Sequence, residues 1–126
     1  MDIVGNRLIA SSIESVTENM REQTVTFRIM FPYDFGENLY DERVIIFSDV
    51  IYYSVDEIII PKGRVPQISF ISDLGEIKKY KKFGPNGQLK EIVRSRYEIQ
   101  TNLGTRTIEF KNYSFFKIEE KEQSQN

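Results

Sequence analysis

The residues with the most evident chemical potential form a basic cluster around one turn. The stretch KKYKKFGPNGQLK, Lys78 to Lys90, contains five lysines and two aromatic residues. Lysine ammonium groups contact phosphate and aromatic rings stack on bases, so the pattern is typical of a nucleic-acid-binding hairpin. The candidate basic surface consists of Lys78, Lys79, Tyr80, Lys81, Lys82, Phe83 and Lys90.

The same cluster has a purely structural interpretation. Lysine on a strand edge is a common protection against edge-to-edge aggregation. Strand alternation places Lys79 and Lys81 on one face and Lys78 and Lys82 on the other, which divides the charge. The whole chain has a net charge of −2. We therefore interpret the cluster as the solvated face of a hairpin, and nucleic-acid binding through residues 76–96 is the alternative.

Acidic and aromatic residues gather in YDFGENLYDE, residues 33–42. Tyrosines are efficient anchors at protein interfaces, and carboxylates steer the approach of a basic partner. This segment is the first choice for a contact surface with another protein, for example a basic nuclease. Its candidate residues are Tyr33, Asp34, Phe35, Glu37, Tyr40, Asp41 and Glu42. For the three rings taken alone, capping of the open end of the core is the favoured interpretation.

Carboxylates allow two further chemistries. Asp34, Glu37 and Asp41 offer oxygen ligands for calcium, although their spacing matches no EF-hand loop. Asp34 paired with Asp49 or Asp56 would suit glycoside hydrolysis, which needs two carboxyl groups at a set separation across a cleft. A solvated loop is the simpler interpretation, so we expect neither a metal nor a cofactor.

The missing residue types exclude several enzyme classes. The chain has no histidine and no cysteine, which removes Ser-His-Asp and Cys-His catalysis and the commonest zinc ligands. No GxxxxGK[ST] or GxGxxG phosphate loop is present. The sequence therefore predicts a non-enzymatic protein that works by binding.

The composition indicates which elements must position these residues. There are 17 Ile, 8 Val and 6 Thr, against only 1 Ala, 5 Leu and 3 Met. β-Branched side chains lose rotamer freedom in helices and fit a pleated surface well. We predict one mainly-β domain, residues 1–118, with an antiparallel sheet curled into a sandwich or partly open barrel and at most one or two short helical turns.

Individual strands follow from alternation and from turn residues. Residues 23–31 alternate clearly, and Pro32 is expected to end that strand. Residues 43–55 predict a central strand bent near Ser48 and Asp49. The turn at Pro85–Gly87 joins two long strands into a ribbon, because Asn and Gly tolerate left-handed conformations. Residues 9–20 fit either a strand or a helix; we favour the strand.

The two ends of the chain lead to simpler expectations. The first residues lack a signal-peptide pattern, so a soluble, cytoplasmic protein without membrane contact is expected. Residues 119–126 contain no apolar anchor and are expected to form a disordered polar tail. The oligomeric state is left open.

Two segments carry a family resemblance. VIIFSDVIYY and RTIEFKNYSFF resemble strands of small β-rich proteins, some of which are immunity partners of bacterial toxins. The resemblance covers less than a quarter of the chain and carries no functional residue across. It implies binding and neutralisation of a toxin domain rather than catalysis.

Overall fold

The β-rich sequence folds, in a computed structural model, into two packed antiparallel sheets. The structure describes residues 2–59 and 61–119, which contain no helix. The strands are β1 (Ser12–Asn19), β2 (Thr24–Asp34), β3 (Leu39–Ser48), β4 (Tyr52–Glu57), β5 (Ile68–Phe83), β6 (Gln88–Thr101), β7 (Gly104–Phe110) and β8 (Asn112–Lys117). One sheet has the order β1-β2-β3-β8 and the other β4-β7-β6-β5. The predicted antiparallel β fold is confirmed, and the sheets do not close into a barrel.

The core lies between the sheets and is built from alternate strand residues. Phe27 of β2 and Phe47 of β3 are fully buried, with ring centroids 5.7 Å apart in an edge-to-face arrangement. Phe47 also meets Phe110 of β7 at 4.8 Å, so aromatic packing crosses from one sheet to the other. Such pairs stabilise a core beyond the area they bury.

Two bent strands join the sheets. The chain passes from β3 to β4 through Asp49, whose φ of 52° is tolerated by a short polar side chain. It passes from β7 to β8 through the single residue Lys111. The ladder is continuous across both bends, since Ser48 pairs with Asn112 and Tyr52 pairs with Glu109. The predicted bend near Ser48 and Asp49 is confirmed.

The prediction that Pro32 ends the second strand is wrong. β2 continues to Asp34, with Pro32 opposite Tyr40 of β3. β1 reaches only Met30 of β2, so Pro32 lies where no strand pairs on the other side. A residue without an N–H is tolerated at such an edge position.

Two local expectations along the chain have different outcomes. Residues 12–19 form β1, which confirms the strand interpretation for most of residues 9–20. Regular strand alternation would place Ile68 and Phe70 on one face, but a bulge separates them, so Ile68 is buried and Phe70 is exposed. A bulge inserts one extra residue and shifts the side-chain alternation.

Two further predictions concern the C-terminal tail and contact with a membrane. The tail predicted for residues 119–126 lies outside the described residues from 120 onward. Within residues 2–59 and 61–119, no helix has the length and apolar character needed to cross a bilayer.

Candidate functional site

Two hairpins extend beyond the body of the sandwich. At the first, β8 pairs with β3 only from Arg43 onward and β1 reaches only Met30, so residues 31–42 form a two-stranded projection, here called the acidic tip. At the second, β7 pairs with β6 only from Ser95 onward. Residues 76–94 therefore form a second projection, here called the basic ribbon.

The acidic tip and the basic ribbon lie at opposite ends of β3. The acidic tip contains Leu39, where β3 begins. At the far end, the Arg94 Nε donates a 2.7 Å hydrogen bond to the Asp49 carbonyl, and the Lys111 N–H donates to the Ser48 carbonyl. Ten strand residues span about 33 Å, so two separate surfaces are available to two different partners.

The acidic tip presents exposed apolar side chains. Tyr33, Phe35, Leu39 and Tyr40 are 51%, 66%, 44% and 40% exposed. The expectation that the three rings cap the core is therefore wrong, because this hairpin extends past the neighbouring strands that would have covered them. The predicted loop is also mostly strand, with a turn over residues 35–38. The Asp34 carboxylate accepts a hydrogen bond from the Glu37 N–H and closes that turn.

Internal ion pairs remove part of the charge of the acidic tip. Asp41 accepts a 2.8 Å hydrogen bond from Arg43 and lies 3.7 Å from the Lys117 Nζ, while Glu42 pairs with Arg28. Among the described residues, Asp34 and Glu37 have no ion-pair partner. The charge available to a ligand is thus concentrated at the turn, beside the exposed rings.

A depression lies along the side of the acidic tip, next to the end of β8. It has a volume of about 630 Å³ and is open to solvent, and Tyr33, Tyr40 and Glu42 contribute to its walls. The guanidinium of Arg43 stacks 4.2 Å from the centroid of Phe31 at the base of the acidic tip. This cation–π contact fixes the root of the hairpin while its end stays exposed.

The register of the basic ribbon sorts its charges by face. Residues directly opposite in an antiparallel ladder point to the same side. One face carries Ile77, Lys79, Lys81 and Phe83 from β5 with Gln88, Lys90, Ile92 and Arg94 from β6. The other face carries Glu76, Lys78, Tyr80 and Lys82 with Leu89, Glu91, Val93 and Ser95. The first, here called the cationic face, has four positive charges and no acid, whereas the second has two of each sign.

The register adds two cations to one side of the expected division of charge. The division of the β5 lysines is as expected, but Lys90 and Arg94 of β6 add to the cationic face. Both acids of the basic ribbon, Glu76 and Glu91, fall on the opposite face. The candidate basic surface included Lys90, and the wider segment 76–96 included Arg94, whereas Lys111 lies outside both. Counting the register outward from the turn at Gly84–Gly87 would have assigned Arg94 to the cationic face.

An open concavity of about 940 Å³ lies along the edge of β6 that β7 leaves unpaired, and all residues of β6 from Leu89 to Arg94 line it. Its lining includes four cations, Lys81, Lys90, Arg94 and Lys111, and the apolar side chain of Phe83. Glu91 is the one carboxylate in this lining, and its side chain accepts a 3.4 Å hydrogen bond from Tyr80 on the opposite face. Lys111 comes from the bend between β7 and β8, so the concavity is formed by the ribbon and the body together.

A buried carboxylate anchors the root of the basic ribbon. Glu109 is fully buried on the outer side of its sheet, where the Lys79 Nζ lies 2.7 Å from one oxygen and Arg96 donates to the other at 2.9 and 2.6 Å. The Lys79 Nζ also lies over the Tyr52 ring, 5.3 Å from the ring centroid. Lys79 is thereby assigned a structural contact, and it is the least available of the candidate lysines.

Comparison with protein-family models, with curated proteins and with solved structures finds no significant match.

The carboxylates proposed for catalysis are not brought together. Asp34 lies at the acidic tip and Asp49 follows the opposite end of β3, about 33 Å away by strand rise and far beyond the separation that glycoside hydrolysis needs. Asp56 belongs to β4 of the other sheet. Within the described residues, no group of three or more His, Cys, Asp or Glu side chains could hold a metal ion.

Acid should destabilise the fold through Glu109 and Glu57. Burial alone would raise the pKa of Glu109, but the close approach of Lys79 and Arg96 outweighs it and holds the pKa below the ordinary 4.5. Burial would also raise the pKa of Glu57, and hydrogen bonds from Arg106 and Thr101 lower it instead. A pKa lowered by folding gives stability that is present above pH 4.5 and is lost as pH falls through the folded-state value.

Urea unfolding at pH 7, 5, 4 and 3 measures this effect. We expect the unfolding midpoint to change little from pH 7 to 5 and to fall below pH 4.5. The Glu109→Gln variant should lose less stability between pH 5 and pH 3 than the wild type. Equal losses in the two proteins would contradict the assignment to Glu109.

The register also predicts a stabilising substitution. Lys81 and Lys90 are directly opposite on the cationic face, and like charges in that position are destabilising. Lys90→Glu places unlike charges across the ladder and should stabilise the ribbon by about 0.5 kcal/mol, seen as roughly twofold slower amide exchange. Lys82→Glu, opposite Leu89, is the matched control and should bring no such slowing. Slower exchange in the control alone would show that the register is wrong.

Proposed function

We propose that this protein is a non-enzymatic binding module whose acidic tip docks on a basic surface of another protein. The observation that carries the proposal is the group of exposed side chains at the end of a projecting hairpin, Tyr33, Phe35, Leu39 and Tyr40. Aromatic residues that are exposed together, away from the core, are typical of interface anchors.

Charge defines the kind of partner. Asp34 and Glu37 flank the exposed rings at the turn, and they favour a partner with lysine or arginine around an apolar patch. The resemblance to small β-rich proteins, some of which are immunity partners of bacterial toxins, agrees with a basic toxin domain such as a nuclease as the partner. A cytoplasmic location is part of this proposal.

Site-specific photocrosslinking tests the docking surface. A photoreactive amino acid replaces Phe35 at the acidic tip or Met20, which is 90% exposed in the β1–β2 turn and serves as the matched control. The proteins are irradiated in lysate of the source cells, and the products are identified by mass spectrometry.

The proposal expects a basic protein crosslinked at position 35 and absent at position 20. Addition of salt before irradiation should weaken the product, because charge steers the encounter. Identical products at both positions, or none at position 35, would contradict docking through the acidic tip.

A further inference from the structure

We propose that the cationic face of the basic ribbon binds the phosphate backbone of double-stranded DNA, with the ribbon lying in the major groove. This surface is separate from the acidic tip, so the inference does not depend on the protein partner proposed above.

Charge is segregated between the two faces of the basic ribbon. The cationic face carries Lys81, Lys90 and Arg94 besides Lys79, which pairs with the buried Glu109, and both acids of the ribbon lie on the opposite face. An arrangement meant only for solubility would intersperse both signs. Here the register places both acids on the opposite face, and four cations line the concavity against the single carboxylate of Glu91.

This arrangement of charges destabilises the free protein. Lys81 and Lys90 face each other directly across the ladder, where like charges repel. Violations of local rules are expected at functional sites, where a ligand compensates for them. A phosphate group placed between the two ammonium groups would remove the repulsion.

The shape of the basic ribbon also suits the major groove. β5 contributes residues 76–83 to the projection, a length of about 27 Å, and β7 does not pair with the β6 segment opposite it. The major groove of B-DNA is about 12 Å wide and admits a two-stranded β-ribbon. Lys111 on the body extends the positive surface along the concavity toward a second stretch of backbone.

The residue types indicate sequence-independent binding. Three of the four cations that line the concavity are lysines, which contact phosphate as point charges. Arg94 uses its Nε for the Asp49 carbonyl and an Nη for the Val93 carbonyl, so its forked donor set is not free to read a guanine. The expected contacts are therefore with the backbone.

Fluorescence anisotropy with a labelled 20-bp duplex tests the proposal on the full chain. Lys81, Lys90, Arg94 and Lys111 give four phosphate contacts, so log K should fall with log [salt] with a slope of about −3.6. Between 50 and 200 mM salt the affinity should therefore drop roughly 100-fold. The same strand in single-stranded form should bind more weakly, because it offers no groove.

Two double variants with equal charge change separate the faces. Lys81→Glu with Lys90→Glu alters the cationic face, and Lys78→Glu with Lys82→Glu alters the opposite face of the same two-stranded segment. The first should weaken duplex binding more than tenfold at 50 mM salt and reduce the slope by about two. The second should leave the slope unchanged. Circular dichroism verifies the fold, and the single variant Lys90→Glu serves if the double variant does not fold.

Three results would overturn the proposal. An equal loss of duplex affinity in both double variants would show that total charge, and not one face of the ribbon, determines binding. Tighter binding of the single strand would exclude the groove. Binding to phosphatidylserine vesicles without any binding to the duplex would assign the cationic face to a membrane surface.

Discussion

Arg106→Ala should lower the free energy of unfolding by about 3–5 kcal/mol. Arg106 is buried on the core side of β7 and makes a bidentate contact with Glu57, at 2.8 Å to each oxygen. Its Nη also donates a 3.0 Å hydrogen bond to the Tyr53 hydroxyl. Removal of the guanidinium leaves the Glu57 carboxylate buried without its counter-charge, and that carboxylate would then protonate or draw water into the core.

A double-mutant cycle gives the control. Replacing both partners, Arg106→Leu with Glu57→Leu, removes the buried charges together and should recover most of the loss. The Thr101 hydroxyl donates to Glu57 as well, so a small residual cost is expected in the double variant. Urea unfolding measures the free energy of unfolding of each variant. A cost below 1 kcal/mol for Arg106→Ala would contradict a structural role for this pair.

Gly104→Ala should be almost as damaging, with a loss of about 3 kcal/mol. Gly104 begins β7 at a φ of +153°, directly opposite Glu57 of β4. A Cβ at this position would overlap the Asp56 carbonyl oxygen and lie 2.9 Å from the Glu57 Cα. Both neighbours are backbone atoms, so relief requires β4 to move away from β7, and the Glu57–Arg106 contact would move with it.

Gly87→Ala is the matched control for this substitution. Gly87 has a φ of +66° in the ribbon turn, and a Cβ there meets no atom within 4 Å. Gly87→Ala should lower the free energy of unfolding by only about 1 kcal/mol, because alanine is strained in a left-handed backbone conformation. Thermal unfolding followed by circular dichroism compares the two variants. Equal costs would show that the close approach of β4 and β7 at Gly104 does not exist in solution.

The fold was largely predictable because its determinants are local. The excess of β-branched residues over alanine and leucine indicated sheet, and the turn at Pro85–Gly87 located the ribbon. The bend at Asp49 was predicted from its position inside an apolar run. Pro32 was misjudged because its effect depends on which strand lies beside it, and this is decided by the length of β1.

The site was less predictable because its properties depend on pairing between strands. Lys81 and Lys90 are opposite each other because of the strand register. Lys79 and Arg96 both contact the carboxylate of Glu109, and these two contacts compensate for its burial. Arg106 and Glu57 lie 49 residues apart in sequence and meet through β4–β7 pairing. No local pattern marks either ion pair. Exposure of the acidic tip likewise depends on where β1 and β8 stop.

The most direct test of the account is a comparison of what three immobilised proteins retain from lysate of the source cells. These are the wild type, the acidic-tip variant Tyr33→Ala, Phe35→Ala, Tyr40→Ala, and the ribbon variant Lys81→Glu, Lys90→Glu. Protein is identified by mass spectrometry and nucleic acid by absorbance. We predict that the acidic-tip variant loses a basic protein and keeps DNA, and that the ribbon variant loses DNA and keeps the protein. Retention of the same molecules by all three proteins would contradict binding through either hairpin.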